Sequence, residues 1–170
     1  MSGWRKELFG WLKAFIFAFI IVFIVQRFLF TPIIVDGPSM LPTLHDRDQM
    51  IVNKIVYRFK EPERFDIVVF HATDQKDFIK RVIGLPREHV KVIDGRLYIN
   101  DERVEEPFLS EEEYSYRFPM NDFTLEELPG NYETIPDGYV LVLQDNRINS
   151  TDSRRIGLIS MHDIVGKASI

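Results

Sequence analysis

Phe78-Ile79-Lys80-Arg81-Val82-Ile83-Gly84 places Phe78, Lys80 and Val82 on one face and Ile79, Arg81 and Ile83 on the other. That period of two predicts a β-strand with one cation among apolar neighbours on each face. Short β-branched or aromatic runs recur on both sides: Phe65–Phe70, Val90–Ile93, Arg96–Ile99, Tyr139–Leu143 and Ile164–Lys167. Asp94-Gly95 separates two of them as a hairpin turn, because a type I′ turn needs positive φ at both central residues. Pro136-Asp137-Gly138 forms a second turn, feeding the strand at Tyr139. The expected fold is mainly β, with antiparallel or mixed sheets. From Asp101 to Pro129 periodicity is weak and acids are many, Glu111-Glu112-Glu113 among them, which predicts a smaller, partly irregular inserted lobe with a solvated charged face.

The two cations differ chemically. Arginine stays charged at any useful pH, whereas an apolar setting disfavours an ammonium and lowers its pKa, so only Lys80 can become a neutral amine base. Arg81 reads as structural. An ion-paired edge-strand lysine is the other reading of Lys80. His45, His71, His89 and His162 stand in no triad context and read as turn caps or solvent-facing residues.

Upstream lies Val35-Asp36-Gly37-Pro38-Ser39-Met40-Leu41-Pro42-Thr43, where two prolines bracket Ser39 and stiffen the chain around its hydroxyl. Such a serine is either a turn residue or a nucleophile, and a nucleophile needs a neighbouring base. Downstream, Gln144-Asp145-Asn146-Arg147-Ile148-Asn149-Ser150-Thr151-Asp152-Ser153-Arg154 follows a strand directly. Its Asx, Ser and Arg side chains either brace a site through local and charge-assisted hydrogen bonds or simply face water.

The 170-residue chain has a net charge of −5, but residues 1–30 carry Arg5, Lys6, Lys13 and Arg27 against Glu7 alone, together with both tryptophans and seven of the fourteen phenylalanines. A basic, apolar head of charge +3 therefore precedes an acidic body of −8. The body's sign argues against a nucleic-acid partner. The absence of cysteine excludes a thiol nucleophile, a Cys zinc site and a disulfide framework. Ala14–Val25 is unbroken apolar sequence, and the run from Leu8 to Val25 contains only Lys13 as a charge. At about 1.5 Å per residue it spans roughly 27 Å, enough for a bilayer. Gln26-Arg27-Phe28-Leu29-Phe30 offers none of the small residues of a signal-peptide cleavage site, so the head reads as an anchor. Its excess of cations on the N-terminal side predicts a cytoplasmic N-terminus and a body on the outer side of the membrane. Ser39 follows Phe30 by nine residues, which limits its reach to roughly 30 Å from the anchor.

Gly37-Pro38-Ser39-Met40-Leu41-Pro42-Thr43, Arg64–Phe70, Ile79-Lys80-Arg81-Val82-Ile83-Gly84-Leu85-Pro86 and Asp145-Asn146-Arg147 with Ser150, Asp152, Ser153 and Arg154, in this order and spacing, resemble the short, single-anchor bacterial type I signal peptidases. The resemblance implies the β-fold that these enzymes share with self-cleaving repressor proteases. It implies a division into a tail and anchor (1–30), a catalytic β core (31–86 and 135–170) and an inserted lobe (87–134). It further implies a membrane-bound endopeptidase acting on signal peptides of exported precursors, with Ser39 as nucleophile, Lys80 as general base and Ser150 as the hydroxyl that orients the lysine. Asp145, Asp152 and Arg154 would brace the site, the Ser39 N–H would help bind the oxyanion, and Ile33, Val35, Met40, Phe78 and Ile79 would wall the substrate pocket. No metal and no cofactor is called for, and the partners are signal peptides and the lipid bilayer. Two positions depart from the family pattern, which has glycine where this chain has Gln144 and Arg87. A Gln144 side chain could crowd Lys80, leaving as an alternative a catalytically impaired, membrane-tethered binding module. A self-cleaving repressor-type protease is a further alternative, opposed by the anchor and by the lack of a helix-turn-helix pattern.

Overall fold

The computed structural model describes residues 3–25, 29–73, 76–110, 121–148 and 151–169. The head forms helix α1, Gly3–Ile24. The window Glu7–Ile24 has a mean hydropathy of 2.1, and none of it is buried against the rest of the chain. Phe15, Phe17, Phe19 and Phe23 are all exposed. A helix of this length and hydropathy, unburied over Glu7–Ile24, is long and apolar enough to cross a bilayer.

The body contains strands β1 (Phe30–Ile34), β2 (Gln49–Asn53), β3 (Ile67–Thr73), β4 (Lys76–Gly84), β5 (Val90–Ile93), β6 (Arg96–Ile99), β7 (Glu102–Arg103), β8 (Phe123–Thr124), β9 (Tyr139–Leu143), β10 (Ile159–Ser160) and β11 (Ile164–Ser169), and a short helix α2 (Ser153–Ile156). One sheet runs β1-β2-β11-β3-β4-β9-β10 and the other β7-β6-β5-β8. Every strand pairing among the described residues is antiparallel. Between β5 and β6, Asp94 and Gly95 have φ of 50° and 70°, as a type I′ turn requires. The strand expected to begin at Phe65 begins instead at Ile67. Phe65 has φ of 71°, its ring stands edge-on to Phe108 with centroids 5.3 Å apart, and its carbonyl accepts from the Arg81 guanidinium.

β4 is an inner strand, with β3 on one side and β9 on the other, and Lys80 through Gly84 are buried. Both of its faces meet apolar clusters. Phe78 and Val82 pack with Val68, Phe70, Val140 and Val142; Ile79 packs with Val35, Met40 and Leu44; Ile83 packs with Val90, Leu97 and Leu141. Each fully buried aliphatic side chain contributes about 1.5–3 kcal/mol, which fixes the strand's register and, with it, the directions of Lys80 and Arg81. Gly84 permits a close approach: a Cβ there would lie 2.5 Å from Ile135 Cδ1 and 2.8 Å from Val90 Cγ2.

The acidic stretch is not uniformly solvated. Glu106 is buried and pairs with the buried guanidinium of Arg147, whose Nε also donates to the Gln144 carbonyl at 2.7 Å. A carboxylate so placed must be paired, because an isolated buried charge is prohibitively costly. Glu111, Glu112 and Glu113 lie outside the described residues.

Candidate active site

Ser39 sits in the loop between β1 and β2. Backbone hydrogen bonds from Val35 N–H to the Asp48 carbonyl (2.9 Å) and from Arg47 N–H to the Val35 carbonyl (2.8 Å) close its base, and the Gly37 N–H donates to Asp46 Oδ1 at 2.8 Å. Met40 and Leu44, both buried, pin the loop to the core. Gly37 has φ of 87°, in the left-handed region that glycine enters without a Cβ penalty.

These constraints bring Ser39 Oγ to 3.5 Å from Lys80 Nζ, across 41 residues of sequence. Lys80 is only 4% exposed; its Nζ also donates to the Ile79 carbonyl at 3.0 Å and stands 5.2 Å from the centre of the Phe78 ring. Burial holds its pKa below the ordinary lysine value, against the carboxylates of Asp152 and Asp145, which pull the other way. Desolvation of an ammonium prevails here over charge attraction.

Arg81, on the opposite face, makes the buried ion pair of the site. Its Nε donates to Asp145 Oδ1 at 2.8 Å and its Nη2 to Oδ2 at 2.6 Å, while Nη1 donates to the Phe65 carbonyl at 2.9 Å. The guanidinium carbon lies 3.8 Å from the centre of the Phe108 ring. Thr43 completes the cluster, donating its hydroxyl to Asp145 Oδ2 at 2.5 Å and accepting from Arg81 Nη2 at 3.1 Å. Thr43 closes the serine stretch quoted from the sequence but received no role there, because its partner is 102 residues away. Asp152 is fully buried and caps α2: Oδ1 accepts from the Arg154 N–H (3.1 Å) and Nε (3.0 Å), and Oδ2 accepts from Arg154 Nη2 (2.8 Å) and from the Gln144 N–H (3.3 Å).

A cleft of about 320 Å³ opens over the Ser39–Lys80 pair, lined by Ile34, Val35, Asp36 and Ser39, by Asp77, Phe78, Ile79 and Lys80, and by Gln144 and Thr151. Of the residues expected as pocket walls, Val35, Phe78 and Ile79 line this cleft. Ile33 does not line the cleft: it alternates away from Ile34 and packs on the core. Met40 is fully buried beneath the loop. Ile34, Asp36, Asp77 and Thr151 were not anticipated; strand alternation alone does not say which side of β1 faces a neighbouring strand. Ser150 lies outside the described residues. Gln144 shares the cleft with Lys80, yet the lysine amine still reaches Ser39. Arg87 has φ of 69°, the conformation that makes glycine favourable there, and its exposed side chain pairs with Asp137 at 2.9 Å and 3.1 Å.

Residues 8–170 match the family model described as signal peptidase, peptidase S26. Signal peptidase IB of Staphylococcus aureus (strain Mu50) is 40% identical over 173 residues, covering 97% of this chain and 89% of the relative. Signal peptidase I of Bacillus caldolyticus is 40% identical over 169 residues, covering 96% and 90%. A crystal structure of a signal peptidase I from Enterococcus faecalis superposes with a TM-score of 0.59 at 36% identity, covering 65% of this chain and 98% of that one. With all but its first seven residues matched by the family model, this chain belongs to the peptidase S26 family of signal peptidases.

Proposed function

We propose that the chain is a membrane-anchored serine endopeptidase that removes signal peptides from exported precursors, with Ser39 as nucleophile and Lys80 as general base. The observation that carries this reading is the Ser39 hydroxyl 3.5 Å from a buried lysine amine of lowered pKa, in a cleft with apolar walls. No histidine lines that cleft among the described residues. Catalytic hydrogen bonds are often long in the free enzyme and tighten in the complex.

As Ser39 Oγ attacks the scissile carbonyl, neutral Lys80 takes its proton. The resulting ammonium protonates the departing amine, leaving an acyl-enzyme, and the neutral amine then activates water for deacylation. To Ser150 falls the role of orienting the lysine. The Arg81–Asp145 and Asp152–Arg154 pairs keep the strand and loop on either side of the amine in place. The signal peptide adds as a strand between residues 34–36 and the start of β4. In support, β9 pairs with β4 only from Arg81 onward, so the backbone at Asp77–Ile79 has a described strand partner on one side alone. Val35, Phe78 and Ile79 offer shallow apolar contacts suited to the small side chains before the cut, with Ile33 and Met40 supporting them from behind.

In this reading α1 spans the cytoplasmic membrane, and Arg5, Lys6 and Lys13 hold the N-terminus inside, so that the catalytic core (31–86 and 135–170) and the inserted lobe (87–134) stand on the outer face. Confining enzyme and precursor to one bilayer raises their effective concentration. The test uses full-length protein in detergent micelles with a precursor, read by gel shift and N-terminal sequencing of the product. We expect cleavage at one site after a small residue, and a loss of at least about 10³-fold in Ser39→Ala. A wild-type protein that leaves the precursor intact, or a Ser39→Ala variant that still cleaves it, would overturn the proposal.

A further inference from the structure

Asn146 touches the backbone on both sides of Ser39. Its own N–H donates to the Ser39 carbonyl at 3.1 Å, and its side-chain Nδ2 donates to the Pro38 carbonyl at 3.2 Å, which also accepts from the Leu41 N–H at 3.2 Å. The Pro38 carbonyl and the Ser39 N–H belong to one planar peptide unit, so a bond that fixes the first fixes the direction of the second. When a serine attacks a carbonyl carbon, the oxygen acquiring negative charge forms beside the nucleophile's own N–H, a donor whose value depends on being aimed beforehand. The amide of Asn146 can serve in only one orientation, since a flip would set its oxygen against the Pro38 carbonyl oxygen. Its Oδ1 is buried with no hydrogen-bond partner among the described residues. An unpaired buried oxygen costs stability that an apolar side chain would avoid, so the fold gains little from keeping an asparagine here.

We propose that Asn146 is a positioning residue that holds the Pro38–Ser39 peptide so that the Ser39 N–H points at the oxyanion. It does this from the loop after β9, the strand paired with β4, so the nucleophile's backbone is referenced to the same strand pair that carries Lys80. The preceding residue, Asp145, holds Arg81, next to that lysine. The dipeptide Asp145-Asn146 therefore locates both halves of the reacting pair. This inference rests on the Ser39–Lys80 reading.

The test compares wild type with Asn146→Ala and Asn146→Leu, neither of which adds a charge or removes the backbone bond to the Ser39 carbonyl. The probes are a fluorogenic peptide with alanine at the first and third positions before the cut and a peptidyl boronic acid of the same sequence, which adds to the serine as a tetrahedral mimic. Deleting an oxyanion donor outright costs about 10²–10³-fold in kcat, and misdirecting one should cost about ten- to a hundredfold. We expect that loss in kcat in both variants, with KM and the melting temperature little changed. The boronate should bind weaker by the same factor as kcat/KM falls, and the pH dependence should keep its shape, since Lys80 is untouched. Several outcomes would overturn the assignment: kcat and boronate affinity within twofold of wild type, a loss carried by KM, a displaced pH profile, or variants that fail to fold. Failure of the Ser39–Lys80 reading shows separately, as a wild-type enzyme that neither cleaves the peptide nor takes up the boronate.

Discussion

Lys80→Met is expected to leave less than about 10⁻³ of the wild-type cleavage rate while making the folded chain harder to unfold. Both effects have one cause. Burial disfavours the ammonium in the native state more than Asp152 and Asp145 favour it, so the folded pKa lies below the ordinary lysine value of the unfolded chain. Between those two values the unfolded chain binds more protons than the native one, and stability rises with pH across the interval; below it the buried charge acts at full strength against folding. Methionine fills a similar volume and carries no charge. The stability gained by Lys80→Met should therefore be largest at pH values below the folded pKa and fade as pH climbs to the ordinary lysine value. Urea titrations of both proteins over that range check the prediction. A variant less stable than wild type near neutrality would show that charge attraction, not desolvation, prevails at Lys80.

The second large effect concerns the pair behind the lysine. Arg81 and Asp145 have side chains 7% and 0% exposed. Removing either partner strands a buried charge, and Arg81→Met or Asp145→Leu alone should each cost about 3–5 kcal/mol. Together they leave no unpaired ion, only the neutral Thr43 hydroxyl and Phe65 carbonyl without their partners, so the double variant should recover much of that loss. Activity should not recover with it, because Asp145 also holds the loop that carries Asn146. A denaturation cycle of the four proteins, with cleavage measured on each, separates the two roles. Additive losses in the double variant would contradict the pairing as the source of the cost.

The strands were legible where period and turn chemistry agreed. Val90–Ile93, Arg96–Ile99 and Tyr139–Leu143 begin and end where the sequence placed them, because the turns Asp94-Gly95 and Pro136-Asp137-Gly138 bound them, with Asp94, Gly95 and Gly138 at positive φ. Alternation in β4 likewise put Lys80 and Arg81 on opposite faces. It did not reveal that β4 is an inner strand, since lysine and arginine in a strand are more often signs of an edge. Phe65 was misread as strand because an aromatic residue usually favours extended backbone; its positive φ is imposed by the Arg81 and Phe108 contacts, which are distant in sequence. The same limit hid Thr43 and the pairing of Glu106 with Arg147: each is a tertiary bond between segments with no local periodicity in common. In the site itself, residue types indicated a hydroxyl and an amine, whereas only the fold brought them within reach. The family's glycine positions were informative in a different way. Arg87 occupies a backbone conformation that explains the glycine of its relatives, while Gln144 lies in ordinary buried surroundings beside the cleft.

The amine of Lys80 as base for Ser39 has its sharpest signature in kcat/KM as a function of pH, measured with the fluorogenic alanine peptide without titratable side chains. The rate is expected to rise with pH as Lys80 loses its proton, along a limb whose midpoint lies below the ordinary lysine value and is unmoved by replacing any of the four histidines. A limb that follows histidine ionisation and vanishes when one histidine is substituted would contradict it.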